Sequence, residues 1–192
     1  KSVRAPVVVC PNYFVPPVHP PSLSRDWVES LGEFFLYTGT LAESWGADAA
    51  VRAARKMNVK LVVAGHTHDP RYFRRLKTEA AGADVVFVGG TTYVDYADVV
   101  ALIRACRAGF ALYRPDPHLL LRTPSKFFEY SALGKPLYFT DAWRHCDVYG
   151  VPVPFPPDDF VFPPPPPVIN PRLDENFRPF DPVEQLYRTL LN

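Results

Sequence analysis

The run Pro124-Ser125-Lys126-Phe127-Phe128-Glu129-Tyr130-Ser131-Ala132-Leu133-Gly134-Lys135-Pro136 gathers groups that handle phosphates and hydroxyls. Pro124 ends a loop, and Ser125 is suited to cap the helix that the spacing predicts over Ser125–Leu133. A helix N-terminus leaves amide donors unpaired and carries a partial positive charge, to which Lys126 adds a full one; the combination suits a diphosphate. Glu129 falls one helical turn further on, where a carboxylate can accept hydrogen bonds from two ribose hydroxyls. The chemistry alone leaves a plainer reading equally open, with Ser125 as a bare cap, Lys126 solvated and Glu129 paired with a nearby arginine.

Four loops follow apolar runs and are the other places to look for ligand chemistry: Gly39–Gly46, Gly65–Asp69, Gly89–Val94 and Arg114–Lys126. Three open with glycine, which lets backbone amides come close to a phosphate. None contains G-x-G-x-x-G or the P-loop pattern, so a dinucleotide or ATP site of those kinds is unsupported. Gly65-His66-Thr67-His68 resembles the last metal-ligand motif of calcineurin-like metallophosphoesterases, since two imidazoles so spaced in a loop can reach one divalent ion. That chemistry also needs D-x-H, G-D-x-x-D and G-N-H motifs, and the chain holds no such set; two histidines do not make a two-metal site. Metal-dependent hydrolysis is therefore a minor alternative, and a cleft-lining or solvated place is expected for His66. His145 reads as an ordinary, partly exposed side chain, and no G-x-S-x-G turn supports Ser-His-Asp catalysis.

The elements that would position these loops follow from the apolar pattern. Short apolar strands are predicted at Phe34–Thr38, Val59–Ala64, Val85–Val88, Phe110–Tyr113 and Leu137–Thr140, the last of the series. Helices are predicted between them. Gly46–Met57 puts Ala50, Ala53, Ala54 and Met57 on one face, with Asp48, Arg52 and Arg55 opposite. A second helix opens at Pro70 and carries Tyr72, Phe73, Leu76 and Ala80. A third, capped by Asp95 or Asp98, carries Val99, Leu102, Ile103 and Cys106 and is ended by Gly109. Apolar strands alternating with amphipathic helices predict a parallel α/β sheet covered on both faces, which binds ligands at the carboxyl ends of its strands.

Composition narrows the class. With 192 residues, 47% apolar and a formal net charge of +1, the chain has room for one substantial core and no global pull toward nucleic acid. No apolar run approaches the roughly 20 residues that span a bilayer. Cys10, Cys106 and Cys146 are widely spaced, as expected for incidental thiols in a reducing, cytoplasmic setting. The chain starts at Lys1 without an initiator Met, so an excised domain is expected. Of its 23 prolines, twelve fall between Val151 and Pro182, with an unbroken run at Pro163–Pro167. Such a stretch excludes helix interiors and central strands and suits a strap or solvated linker over a partner-docking segment. The expected organisation is a domain over residues 1–150, with 1–30 a linker or first crossing segment, followed by a proline-rich extension over 151–192. That extension ends in a short helix, Val183–Leu191.

Residues 124–136 resemble the PSK-x-x-EY-x-A-x-GKP signature of GT-B-fold glycosyltransferases, especially the C-terminal, nucleotide-sugar-binding domain of glycosyltransferase family four. Phe35–Gly46 is similar to the first strand and glycine loop of that domain, Leu61–Pro70 to its second strand and loop, and Val85–Gly89 to its third strand. Asp98–Tyr113 resembles the helix and strand before the signature, and Cys10-Pro11-Asn12 the interdomain turn that precedes the domain. The likeness runs in order over residues 7–145. It implies a Rossmann-like half of a GT-B fold that moves a sugar from a nucleotide diphosphate sugar, with no cofactor or metal ion. A separate N-terminal domain would bind the acceptor, whether glycan, lipid or protein, and membrane association of the parent protein stays compatible with it.

By the same resemblance Glu129 holds the ribose, Ser125 and Lys126 face the diphosphate, and Tyr93 and Val94 lie beside the base. Gly39 and Thr40 line the cleft, and the loop after the second strand brings Gly65 and His66 to the donor. Three positions depart from the pattern: Thr40 and Trp45 stand where basic residues are usual, and Leu121 where an acidic one is. Arg114 or Arg122 is the expected replacement cation. Two functions follow, a donor-binding domain of a hexosyltransferase and a non-catalytic nucleotide-sugar-binding or scaffold domain that keeps the fold.

Overall fold

A computed structural model describes residues 14, 16–116, 124–143 and 150–165 of the chain. The expected Cys10-Pro11-Asn12 turn, Leu121, Arg122, His145, Cys146 and the expected Val183–Leu191 helix lie outside the described residues.

Six strands form one parallel sheet: β1 (Phe35–Thr40), β2 (Leu61–His66), β3 (Val85–Gly90), β4 (Ala108–Ala111), β5 (Leu137–Thr140) and β6 (Gly150–Val153). Their spatial order is β3-β2-β1-β4-β5-β6, which places the topological switch between β1 and β4. Helix α1 (Arg25–Ser30) precedes β1, and α2 (Ala47–Met57), α3 (Pro70–Glu79), α4 (Tyr96–Ala105) and α5 (Ser125–Ala132) connect the strands up to β5. Alternate residues of each strand feed two cores. Phe35, Tyr37, Val63 and Phe110 meet α2 and α3, while Leu36, Val62, Ala111 and Phe139 meet α1, α4 and α5. Cover on both faces is why these strands read as unbroken apolar runs.

Side-chain caps set three of the helix starts. Asp69 accepts from Arg71 N at 2.8 Å, Asp95 from Ala97 N at 2.7 Å, and Ser24 from Trp27 N at 3.2 Å. Asp95 is thus the cap of α4. Asp98 is buried instead and ties the incoming chain to that helix, accepting from Ser22 Oγ at 2.5 Å and Leu23 N at 2.8 Å.

Several sequence expectations are corrected. Residues 25–30, at the end of the stretch expected to be a linker or first crossing segment, form a helix, α1, whose Val28 packs with the core under α4. Strands β1, β2 and β3 do not stop before their glycines but run through them, with Gly39, Gly65 and Gly89 in one register row. Asp48, placed on the solvent face of α2, is buried between Arg52 and Arg114. Beyond the expected last strand lies β6, which carries Pro152. It is an edge strand, where a missing amide donor is tolerated. The chain after it straps the α2 face: Phe155, Phe160 and Phe162 pack on that core, Asp158 pairs with Arg52 at 2.9 Å, and Tyr138 Oη donates to the Pro163 carbonyl.

Gly109 is not a helix stop. It lies inside β4, where a Cβ would fall within the Tyr130 ring and 2.8 Å from Leu137 Cδ1. Tyr130 has nowhere to go, since its hydroxyl donates to the Leu36 carbonyl at 3.2 Å and it is fully buried. Gly109→Ala is therefore expected to cost about 2 to 3 kcal/mol, the usual penalty of overpacking a tight core; denaturant unfolding at constant slope measures it. No helix among the described residues is long and apolar enough to cross a membrane.

Candidate functional site

The register row Gly39–Gly65–Gly89 sits at the carboxyl ends of three neighbouring strands. A Cβ on Gly65 would run into the Gly39 carbonyl, and one on Gly89 into the Gly65 carbonyl, so this row exists only because the side chains are missing. Gly39 adopts φ +110°, a conformation that suits only glycine. The space where its Cβ would stand is taken by Lys126, whose Nζ lies 2.5 Å from that point.

Lys126 enters from the first turn of α5 and crosses the β1–β4 switch. Its ammonium sits against three rings: Tyr37 at 5.8 Å, Trp45 at 5.8 Å and Tyr113 at 5.4 Å from the centroids. Ring quadrupoles attract a cation, so the cage offsets part of the loss of water. The remainder lowers its basicity. Burial pulls the Lys126 ammonium down to about 8, with Glu129 acting the other way. Lys126 keeps only 8% of its surface open. It meets neither simple alternative: it is not a solvated surface lysine, and among the described residues no acceptor satisfies it.

The cage is held rigidly. Tyr37 Oη donates to the carbonyls of Thr40 at 2.7 Å and Trp45 at 3.1 Å, closing the short turn Glu43–Trp45 between β1 and α2. Gly46, in the left-handed region at φ +73°, lets the chain pass from that turn into α2 against the Leu112 carbonyl. Arg114 binds the same turn, donating from Nε to the Glu43 carbonyl at 3.1 Å and pairing with Glu43 at 3.2 Å and Asp48 at 3.3 Å. Its guanidinium also covers the Phe155 ring at 5.6 Å. Arg114 is thus tied to two carboxylates of the fold; Arg122, the other replacement cation expected from the sequence, lies outside the described residues.

Ser125 is the first residue of α5, not its cap; the cap position belongs to Pro124, and no side chain bonds the helix end there. A proline in extended conformation starts the helix by fixing φ, and leaves the first amides uncapped. Ser125 itself is exposed. Glu129, one turn on, is half-buried and forms no ion pair among the described residues. Its charge is felt by several hydroxyls: with burial as the first cause, it helps push Tyr96 and Tyr113 above the usual tyrosine range.

A second cluster stands beside this one. Thr40 is in register with His66 at the end of β2. His66 stacks on Tyr93 at 3.8 Å and 17°, and meets His68 edge-on at 4.3 Å. Tyr93 Oη lies 3.4 Å from His68 Nε2. The Tyr93 ring is 77% exposed, and Val94 folds over Gly89. Burial and the neighbouring His68 lower His66 below its usual 6.5. No group of three or more His, Cys, Asp or Glu gathers to hold a metal ion among the described residues.

Gly39 and Lys126 therefore form one centre with Glu129 a turn away, while Gly65, His66, Tyr93 and Val94 form its neighbour across Thr40. Sequence reasoning missed the cage residues Tyr37 and Tyr113. Their only signal was an aromatic side chain next to the carboxyl end of each strand that borders the switch.

The architecture is that of a Rossmann-like half of a GT-B fold. No family model matches the chain, and no curated protein matches it. Among solved structures it is similar to AviGT4, a glycosyltransferase involved in avilamycin A biosynthesis, at 21% identity and a TM-score of 0.50, over 66% of this chain and 38% of that one. It is also similar to a UDP-forming α,α-trehalose-phosphate synthase from Burkholderia xenovorans at 14% identity and a TM-score of 0.53, over 70% and 35% of the two chains. A glycosyltransferase from Rickettsia africae matches at 14% identity and a TM-score of 0.50, over 69% and 38%. At these identities the likeness is one of fold. The chain spans little more than a third of the length of these proteins.

Proposed function

We propose that this chain is the donor-binding half of a glycosyltransferase, and that it holds a nucleotide diphosphate sugar at the β1–β4 switch. The observation that carries this reading is the Lys126 ammonium. It is buried in an aromatic cage, is carried by the first turn of a helix, α5, whose start no side chain caps, and has Glu129 one turn along the same helix.

The diphosphate lies against Lys126 and the first amides of α5, with the ribose hydroxyls on Glu129. Water is largely excluded around the ammonium, so its attraction for phosphate is weakly screened. When the glycosidic bond to phosphate breaks, negative charge grows on the departing diphosphate, and the same groups stabilise it without having to reorganise. The acceptor comes from a separate domain. Resemblance to glycosyltransferase family four, the GT-B similarity and the position of the switch all support this assignment.

One observation favours a second reading, a domain that binds the donor without transferring its sugar. Arg114 is tied to Glu43 and Asp48, and Trp45 is not basic, so Lys126 supplies the only side-chain cation of the site among the described residues.

Calorimetric titration with uridine and guanosine diphosphates tests the reading. Binding to the intact chain is expected, and Glu129→Ala is expected to weaken it by about 10- to 100-fold, the worth of a charged hydrogen bond. The loss should be far smaller for the 2′-deoxy nucleotide. An intact chain that ignores both nucleotides at millimolar concentration contradicts donor binding; equal affinity in Glu129→Ala contradicts the assigned place of the ribose.

A further inference from the structure

Arg52 and Arg114 both hold the buried carboxylate of Asp48, and the chain after β6 touches both of them. Arg52 pairs with Asp48 at 3.1 Å and with Asp158 of that segment at 2.9 Å. Arg114 pairs with Asp48 at 3.3 Å, and its guanidinium faces the Phe155 ring at 5.6 Å from the centroid. The segment is itself anchored. Pro157 is buried, Phe155, Phe160 and Phe162 pack on the α2 core, and Phe162 meets Tyr138 edge-on at 5.5 Å. Phe155 therefore stands at a fixed place against Arg114.

Arg114 in turn clamps the turn that builds the Lys126 cage. Its backbone amide donates to the Ser44 carbonyl at 3.1 Å, its Nε to the Glu43 carbonyl at 3.1 Å, and its Nη2 pairs with the Glu43 carboxylate at 3.2 Å. Trp45, the last residue of that turn, supplies one wall of the cage. Tyr37 supplies another and bonds the Trp45 carbonyl at 3.1 Å. A guanidinium is planar, so a ring against its face limits it to the orientation in which its edge reaches Glu43 and Asp48 together.

Resting on the donor-binding reading, we propose that Phe155 is a positioning residue for the donor site: it fixes the Arg114 guanidinium, and Arg114 fixes the Glu43–Trp45 turn around the Lys126 ammonium. The proline-rich segment thereby serves the site from the α2 face of the sheet, although Lys126 enters from the α5 face.

Two measurements on the full chain test it: affinity for uridine or guanosine diphosphate, and titration of Lys126 in the nucleotide-free protein, followed by NMR. Arg114→Leu is expected to weaken binding about tenfold, as a misplaced support does. It is also expected to raise the Lys126 pKa from about 8 toward 10.5, because a loosened cage admits water. No buried carboxylate is left alone in that variant, since Asp48 keeps Arg52 and Glu43 keeps Arg75. Phe155→Leu keeps apolar packing but removes the ring, and is expected to shift both readouts in the same direction, affinity by about threefold. Added to Arg114→Leu, it is expected to change nothing further, because Phe155 acts through Arg114. Phe162→Leu cuts into the same core without touching Arg114, and is expected to lower stability while leaving both readouts in place. The titratable groups that face the ammonium, Glu129, Tyr37 and Tyr113, are unchanged in every variant.

Unchanged affinity and Lys126 titration in Phe155→Leu, an equal effect of Phe162→Leu, or full additivity in the double variant overturns the proposal. If the intact chain binds nucleotide and Phe155→Leu binds it equally well, only this inference falls; if the intact chain binds none, the donor-binding reading falls and takes it along. Should Arg114→Leu fail to fold, the contrast between Phe155→Leu and Phe162→Leu decides.

Discussion

Lys126→Met is expected to make the chain more stable and close to unable to bind nucleotide diphosphates. Both effects come from one cause. Burial lowers the Lys126 ammonium from 10.5 to about 8, so holding the charged form in the cage costs about 3 kcal/mol relative to the unfolded chain, by the conversion of pKa shifts to free energy. Cation–π contacts with Tyr37, Trp45 and Tyr113 offset part of that cost. Methionine fills nearly the same volume, carries no charge and makes favourable sulfur–aromatic contacts. A gain of about 1 to 3 kcal/mol corresponds to a rise in melting temperature of about 3 to 8 °C for a chain of this length. Nucleotide affinity is expected to fall by about 100-fold, since the variant leaves only the helix amides for the diphosphate. A residue that destabilises the fold and is nonetheless essential for binding is the signature of a site group, whereas a structural lysine would lose stability when replaced.

The pH dependence has a definite sign. Lys126 has its folded-state pKa below the unfolded value, so between about 8 and 10.5 the unfolded chain binds more protons than the folded one. The contribution of Lys126 to stability therefore rises with pH across that window, while nucleotide affinity falls through about 8 as the ammonium is lost. Lys126→Met is expected to remove both trends.

Gly39→Ala attacks the same centre from the strand side. Its φ of +110° lies in a region that L side chains rarely adopt, and its new Cβ would stand 2.5 Å from Lys126 Nζ and 3.2 Å from Cε. Strain of about 2 to 3 kcal/mol is expected in unfolding experiments. The lysine end can shift where a backbone cannot, so the ammonium leaves the cage and nucleotide affinity drops by about tenfold or more. Proton titration separates the two parts of the effect: an ammonium pushed into water recovers a pKa near that of free lysine. An alanine variant with unchanged affinity and stability would mean that Gly39 and Lys126 do not meet.

Much of the fold was legible because its strands obey a simple rule. Phe35–Tyr37, Leu61–Ala64 and Val85–Val88 are apolar throughout, as strands covered on both faces must be. The carboxyl ends were misread because Gly39, Gly65 and Gly89 look like breakers, yet Gly65 and Gly89 lie in the ladder where the preceding strand's carbonyl approaches, and Gly39 where Lys126 does. Proline hid β6, whose place at the edge excuses Pro152, and the polar side chain of Asp48 suggested solvent where two arginines bury it. At the site, the spacing of Ser125, Lys126 and Glu129 on one helix was readable from local rules alone. The cage was not: Tyr37, Trp45 and Tyr113 come from three segments, and only the crossover between β1 and β4 brings them around one ammonium.

The proton balance of nucleotide binding probes the role of Lys126 without any substitution. Calorimetry of uridine or guanosine diphosphate binding at pH 8, repeated in buffers of different ionisation enthalpy, reports protons taken up on binding. A diphosphate seated on Lys126 raises its pKa from about 8, so an uptake of about half a proton is expected there, shrinking as the pH is lowered to about 7, where the ammonium is already mostly charged. Binding at pH 8 with no proton uptake would show that the phosphates rest elsewhere.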